Sequence, residues 1–428
     1  MSEDQRRRTL SASVKDGVAY SFMQGTGERY VQPFAAFLGV SESAYGLLVA
    51  LSSLAGGLFQ VLGANVVDDS GRRMQVMIRG SIVQALSWAV AISALALDRP
   101  WNVAILIASQ VLYLGAWHLT IPPWSSVMGD VVPVEMRGRY FGMRNFLCGI
   151  ALLVAFTGSA LLLDAAKVRG RTVEGLGFVA LFGTALAARL VSIWYLSRMH
   201  APPYTVQAGD RFTFAEFLRR APYGNFGRFV FYAGGLHLGV GIAAPFLGYY
   251  MLRDLGFSYT EFMVANGLQL LGLFVTQPLW GRFADRWGNK RMLALGGVGI
   301  GLIPLLWLVS GGRNGLCAAM FVDGLAWAAF QLASLNYLFD LVTPPKRARC
   351  MAYYTLVAGT ALSVGSLLGS LLFDLLPAGV KWWRFHLTAF ETLAILSAGF
   401  RLLPSLFLGT FAERRLRPEP AEKPVPAG

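Results

Sequence analysis

Of the 428 residues, 55% are hydrophobic and only 14% are charged, and the formal net charge is +13. A soluble domain carries roughly a quarter charged residues, so the composition excludes that class and leaves an integral membrane protein. A basic excess of this size on a soluble chain would suggest nucleic acid; within a membrane, orientation accounts for it and no nucleic-acid partner is expected.

Twelve predominantly apolar windows are long enough to cross a bilayer, at 17–39, 44–66, 76–97, 101–124, 140–163, 175–196, 226–251, 260–281, 291–311, 314–339, 350–374 and 383–408. An even count puts both termini on one side. With that side cytoplasmic, 26 Lys and Arg fall inside and eight outside, while Arg29, Arg189 and Arg401 lie within or near spans. This asymmetry follows the positive-inside rule and predicts a multi-pass protein of the cytoplasmic (inner) membrane with both termini inside. One outer loop dissents, with Lys167, Arg169 and Arg171.

Residues 1–16 are polar and basic and lead into the first span. That span holds Glu28 and Arg29, exceeds a signal h-region and lacks a small-x-small cleavage site, so it reads as an uncleaved helix. Ser21, Gln24, Gly25, Glu28 and Gln32 recur at three- and four-residue steps and form one polar face. An ionised group at mid-span costs about 2.5 kcal/mol or more unless it meets a partner or water. Glu28 and Arg29 therefore read either as a structural pair or as part of a solute or ion pathway. Adjacent residues diverge by about 100°, so Arg29 is not assumed to pair with Glu28. His237 or a cationic substrate group is the expected partner.

Span 2 ends at Asp68-Asp-Ser-Gly71-Arg72-Arg73. Span 4 carries Gln110, Tyr113, Trp117 and Thr120 on one face, with His118 beside it. Helix packing alone explains many such aromatic stripes. The next turn, Asp130-Val-Val-Pro-Val-Glu-Met-Arg137-Gly-Arg139, has an echo at Asp340-Leu-Val-Thr-Pro-Pro-Lys-Arg347-Ala-Arg349, 210 residues later. Pro33-Phe34 and Pro245-Phe246 match at an offset of 212. Two tandem six-helix halves explain these matches.

The segment 197–225 is the longest polar interruption and reads as a cytoplasmic linker. It joins an N-terminal bundle, 1–196, to a C-terminal bundle, 226–408, which is followed by a tail, 409–428, read as disordered. Phe212, Phe214, Phe217 and Leu218 beside basic residues predict either a short amphipathic helix on the inner membrane surface or a disordered loop. Span 7 carries His237 among Gly234, Gly235, Gly239 and Gly241, and span 10 presents Asp323, Trp327, Gln331 and Ser334 on one face. Between spans 8 and 9 lies Gly281-Arg-Phe-Ala-Asp285-Arg286-Trp-Gly288-Asn-Lys290-Arg291, a fuller copy of the turn after span 2.

These repeated turns on a twelve-span frame resemble the major facilitator superfamily. In the first copy Gly63 is one residue out of place and Asp69 replaces a basic residue. The resemblance implies an all-α membrane fold of two pseudo-symmetric six-helix bundles, a small-molecule or ion substrate, and function as a monomer. It also implies a central cavity lined by spans 1, 4, 7 and 10. Glu28, Arg29, Gln32, Tyr113, Trp117, His118, His237, Asp323, Trp327 and Gln331 are the cavity residues so expected. Asp68, Gly71, Arg72, Arg73, Asp130, Arg137 and Arg139 form gating turns in the first half. Gly281, Asp285, Arg286, Gly288, Lys290, Arg291, Asp340, Arg347 and Arg349 do so in the second. With the cytoplasmic side closed, Asp285 is expected beside the start of span 5 near Tyr140, oriented by Arg347.

Acids, a base, imidazoles and flat aromatics suit a polar or amphiphilic organic solute, and carboxyls in the cavity make proton coupling chemically open. Alternatives are a multidrug or lipid exporter, although span 5 lacks the proline pattern of drug–proton antiporters, and a divalent-metal transporter using Glu28, His118, His237 and Asp323. A non-transporting receptor of the same fold is another reading. No metal site or cofactor is expected: Cys148, Cys317 and Cys350 form no CxxC. His118, His200, His237 and His386 are scattered and G-x-S-x-G and H-E-x-x-H are absent, so an enzyme is not expected.

Overall fold

A computed structural model describes residues 2–133, 136–202, 213–342, 346–376, 380–382 and 385–410. Span 1 comprises α1 (Glu3–Thr26), a 3-10 turn (Glu28–Tyr30) and α2 (Val31–Phe37). Spans 2 to 6 are α3 (Glu42–Ser70), α4 (Arg73–Ser93), α5 (Trp101–Val131), α6 (Arg137–Val168) and α7 (Arg171–Leu196). After a short α8 (Phe214–Arg220), span 7 comprises α9 (Asn225–Ala243), a 3-10 turn (Ala244–Phe246), α10 (Leu247–Tyr249) and a π turn (Tyr250–Asp254). Spans 8 to 11 are α11 (Tyr259–Trp287), α12 (Asn289–Val309), α13 (Arg313–Leu341) and α14 (Arg347–Leu375). A small antiparallel hairpin, β1 (Val380–Trp382) with β2 (Phe385–Leu387), precedes span 12, made of α15 (Ala389–Leu402) and a 3-10 stretch (Leu403–Thr410).

Spans 2 to 12 are each long and apolar enough to cross a membrane. Span 1 differs because Lys15, Asp16 and its polar face dilute the apolar run. It also starts earlier than the sequence suggests, at Glu3, behind a capping box of Ser2 and Gln5.

Spans 1 and 7 are broken at equivalent places, and the repeated proline explains both. Pro33 has no N–H for the carbonyl four residues earlier, Arg29, and Pro245 has none for Gly241. In both spans a 3-10 turn takes up the defect. Both halves carry aromatic clusters, and the first continues into the second half where Tyr45 meets Tyr249 at 5.0 Å. Phe34 meets Phe182 edge-on at 4.9 Å in the first, and Phe229 stacks on Tyr354 at 5.6 Å in the second.

Gly71 closes α3 in the left-handed region at φ 64°, where a side chain would be strained. Gly63, displaced from the turn pattern, serves packing instead: a Cβ there would run into the Leu119 carbonyl of α5. The linker segment forms a short helix, α8, behind a capping box of Thr213 and Glu216. Phe214 and Phe217 pack on Tyr353 of α14 at 5.3 and 5.5 Å, because this apolar face finds cover on the second half. Phe212 and residues 411–428 lie outside the described residues.

The halves meet unevenly. Call the face holding Glu3, α8 and the charged turns the terminal face. At the opposite face the contacts are dense. Gln32 donates to the Pro245 carbonyl at 2.8 Å, and Arg253 reaches Glu42 at 2.7 Å and the Val40 carbonyl at 2.9 Å. Asp164, near the end of α6, accepts the Tyr259 and Thr260 N–H groups of α11, both at 2.8 Å. The Tyr259 hydroxyl donates to Glu174 at 2.5 Å. Toward the terminal face, α3 and α14 stay together down to an ion pair between Asp68 and Arg349. Polar contacts between α6 and α11 include Thr157 with Met263, Asp164 with the Tyr259 and Thr260 N–H groups, and the Lys167 ammonium 5.3 Å from the Tyr259 ring centroid.

Candidate functional site

Glu28 occupies the break in span 1. Its Oε2 accepts the Tyr113 hydroxyl at 2.6 Å and the Gln24 amide at 3.0 Å. Spans 1 and 4 thus join at the mid-span acid. Neither Arg29 nor His237 is the partner. Arg29 is half-buried, and its Nε has no hydrogen-bond partner within the protein. Tyr113 is buried against Trp88 at 4.9 Å, which holds the hydroxyl in place.

Below Glu28 toward the terminal face lies a cavity of about 370 Å³ within the first half. Tyr20, Gln24, Trp117, Trp124, Arg144 and Arg189 contribute to its wall. Deep in it Asp16 accepts the Ser192 hydroxyl at 2.6 Å and stands 4.0 Å from Arg189. Arg189 donates to Ser192 at 2.6 Å and Ser81 at 2.8 Å, with its guanidinium over the Tyr20 ring at 4.9 Å. Asp16, Tyr20 and Arg144 are absent from the cavity set expected above. Continuing the polar face of span 1 backward, from Gln24 through Tyr20 to Asp16 in steps of four, would have reached two of them.

The other expected cavity residues divide. Trp117 lines this cavity. His118 turns to span 2, where Nδ1 meets Gln60 Oε1 at 2.8 Å and the ring lies against Gly56. It sits one residue off the stripe, so its direction rotates by about 100° from that of Trp117. Gln32 is committed to closure between the halves: its amide lies on Gly248, where a Cβ would collide with it, and bonds Pro245. His237 bonds its own helix at the Ala233 carbonyl at 2.8 Å and has its ring 5.8 Å from Trp327. Asp323 is buried and accepts the Gln269 amide at 2.5 Å, while Gln331 is exposed. Among the described residues no three His, Cys, Asp or Glu converge to hold a metal ion. The four ligands of the metal-transporter reading instead take separate partners.

The charged turns also resolve into particular contacts. Arg73 is buried and reaches Asp130 at 2.6 Å, Ser126 at 2.8 Å and the Pro202 carbonyl at 2.6 Å. In the second half Asp340 accepts from Asn289 at 2.7 Å. Asp285, Arg286 and Arg291 are exposed, as are Arg72 and Arg139, and Lys290 is half-buried. Arg347 does not orient Asp285 in this conformation, because its guanidinium bonds the Val342 and Phe339 carbonyls at the end of α13. Tyr140 likewise turns to the Leu10 carbonyl of its own half, at 3.1 Å.

A sequence profile described as Major Facilitator Superfamily matches residues 18–236 and 229–427. The puromycin resistance protein of Streptomyces alboniger is 35% identical over 157 residues, spanning 36% of this chain and 30% of its own length. A multi-drug resistance efflux pump PmrA homolog of Lactococcus lactis is 24% identical over 368 residues, 83% of this chain and 84% of that protein. Among solved structures, the nucleoside transporter NupG superposes with a TM-score of 0.68 at 12% identity, over 95% of this chain and 98% of that one. A bacterial homolog of the human lysosomal transporter Spinster gives a TM-score of 0.66 at 14% identity, over 96% and 97%. These likenesses show the fold, and with the profile covering both halves, the chain belongs to the major facilitator superfamily of membrane transporters.

Proposed function

We propose that this chain is a proton-coupled secondary transporter that exports an amphiphilic organic solute across the cytoplasmic membrane by alternating access. The positive-inside rule favours a cytoplasmic terminal face, so the contacts of Gln32, Arg253 and Asp164 close the protein on the outer side. The observation that carries the reading is Glu28: a mid-span carboxylate hydrogen-bonded to Tyr113 and Gln24, with no basic partner among the described residues, at the break of span 1. A carboxylate held by neutral donors can take up and release a proton without breaking an ion pair. The cavity below it offers Trp117 and Trp124 for a flat apolar surface. Export accords with the relatives, which are named as drug-resistance proteins.

The experiment is proton release from proteoliposomes carrying an imposed pH gradient, read by a pH-sensitive dye as a panel of amphiphilic compounds that includes puromycin is added. Proton movement triggered by at least one compound is expected. Transport of a compound at a rate indifferent to the gradient would contradict the coupling.

A further inference from the structure

Arg189 and Arg401 stand 212 residues apart, the same separation as Pro33 and Pro245, and each is buried in the last span of its half. Their surroundings differ. In the first half Ser192 lies three residues on and Ser81 faces from span 3, and both hydroxyls accept from Arg189. In the second half the residue three on is Pro404, and span 9 offers only a backbone carbonyl, Ile300 O, to Nη1 at 3.1 Å. Arg401 is 1% exposed, and its Nε and Nη2 have no hydrogen-bond partner among the described residues. Those two nitrogens form one edge of the guanidinium, the edge that grips a carboxylate with two parallel bonds.

Arg401 contributes to the wall of a cavity of about 310 Å³ that also receives Asp323, Gln269, Asn266, Trp307 and Trp327. Asp323 is 4% exposed; Gln269 holds Oδ2, and Oδ1 has no hydrogen-bond partner among the described residues. Asp323 and Gln269 each lie ten residues from the outer start of their helices, about 15 Å at the helical rise, and so near mid-membrane. The cavity wall therefore carries one acid and one base, each with free hydrogen-bonding capacity. Leaving such atoms unmet is costly, and a lone anion or cation entering would leave a charge unmatched in a dry site. A ligand bearing both groups satisfies both residues at once.

We propose that this pocket, walled by the second half and by Gln32 of span 1, binds a small zwitterionic group, with a carboxylate on the Nε/Nη2 edge of Arg401 and an amine on Asp323 Oδ1. It rests on the transporter reading and names the polar group of the substrate. It stands apart from the coupling assigned to Glu28.

The test is equilibrium binding to the purified full chain, by calorimetry and by Trp fluorescence, using ω-amino acids from glycine to 6-aminohexanoate at millimolar concentration. At least one should bind. Its methyl ester and its N-acetyl form should each bind at least about tenfold more weakly, a loss of about 1.4 kcal/mol. Arg401→Lys keeps the charge but not the fork and should lose affinity by a similar factor. Asp323→Asn should invert the preference, so that the N-acetyl form binds as well as the parent amino acid. A purely structural acid would not produce that inversion. Binding by none of the series, equal binding of the masked forms, or an unchanged preference in Asp323→Asn would overturn the proposal. Proton release triggered by amphiphilic compounds would be untouched by any of these failures, so the two readings are separable.

Discussion

Arg137 and Arg347 make the same bonds 210 residues apart. Arg137 donates to the Val132 carbonyl at 3.3 Å and the Gly129 carbonyl at 2.8 Å; Arg347 donates to Val342 at 3.1 Å and Phe339 at 3.2 Å. Each caps the end of the preceding span, where carbonyls lack partners and the helix dipole favours a cation. The repeat in the sequence is thus a repeat of a chemical task. Arg137→Ala and Arg347→Ala should each cost about 1 kcal/mol, since the groups are partly exposed. Thermal unfolding in detergent checks this, with Lys substitutions recovering only part of the loss. Equal stability of Ala and wild type would remove the capping role.

Asp164 latches the halves at the face opposite the termini. Both its oxygens accept backbone N–H groups at the start of α11, a position where a carboxylate also meets the positive end of the helix. Asp164→Ala should move the conformational equilibrium toward opening at this face by roughly 1–3 kcal/mol, about fivefold or more. Spin labels at Ser41 and Asp254, one on each half, would report a longer distance population. An unchanged distribution would show that Gln32 and Arg253 hold the face closed without it.

Asp68 and Arg349 tie the two charged turns across the halves at the other face. Each single charge reversal, Asp68→Arg or Arg349→Asp, should reduce transport, and the double reversal should restore a substantial part. A double variant no better than either single one would argue that the pair is incidental.

His118 is held by Gln60 within helix packing rather than aimed at the cavity. His118→Gln should keep a hydrogen bond to Gln60, and with it folding and transport. Fe²⁺, Mn²⁺ and Zn²⁺ should leave the unfolding temperature of the wild type unchanged. Metal stabilisation that disappears in His118→Gln would restore the metal reading.

Fold class was legible because apolar windows, repeated turns and the Pro33/Pro245 match all reflect constraints within a short stretch of chain. The breaks in spans 1 and 7 were legible in part, since proline removes a donor whatever surrounds it. Pairings were not. Glu28 and Tyr113 lie on faces that the sequence shows separately, but nothing local says that these faces meet. Asp16 and Ser192 are 176 residues apart, and Asp16 sits in a stretch read as a polar tail. The direction of His118 was not legible because a list of polar residues ignores rotation about the helix, and the carbonyl bonds of Arg347 were not because a charge pattern does not reveal them.

The account turns on Glu28 as the group that exchanges the proton. Its direct test is Glu28→Gln in proteoliposomes, assayed with whichever compound triggers proton release from the wild type. Gln keeps the shape and still accepts from Tyr113, but it cannot ionise. The account predicts that transport driven by a pH gradient is lost, while exchange of labelled for unlabelled compound continues, because in exchange the carrier returns loaded with compound and the proton-loaded return step is not needed. Wild-type rates with normal pH dependence in Glu28→Gln would contradict it and make the mid-span carboxylate a structural hydrogen-bonding group.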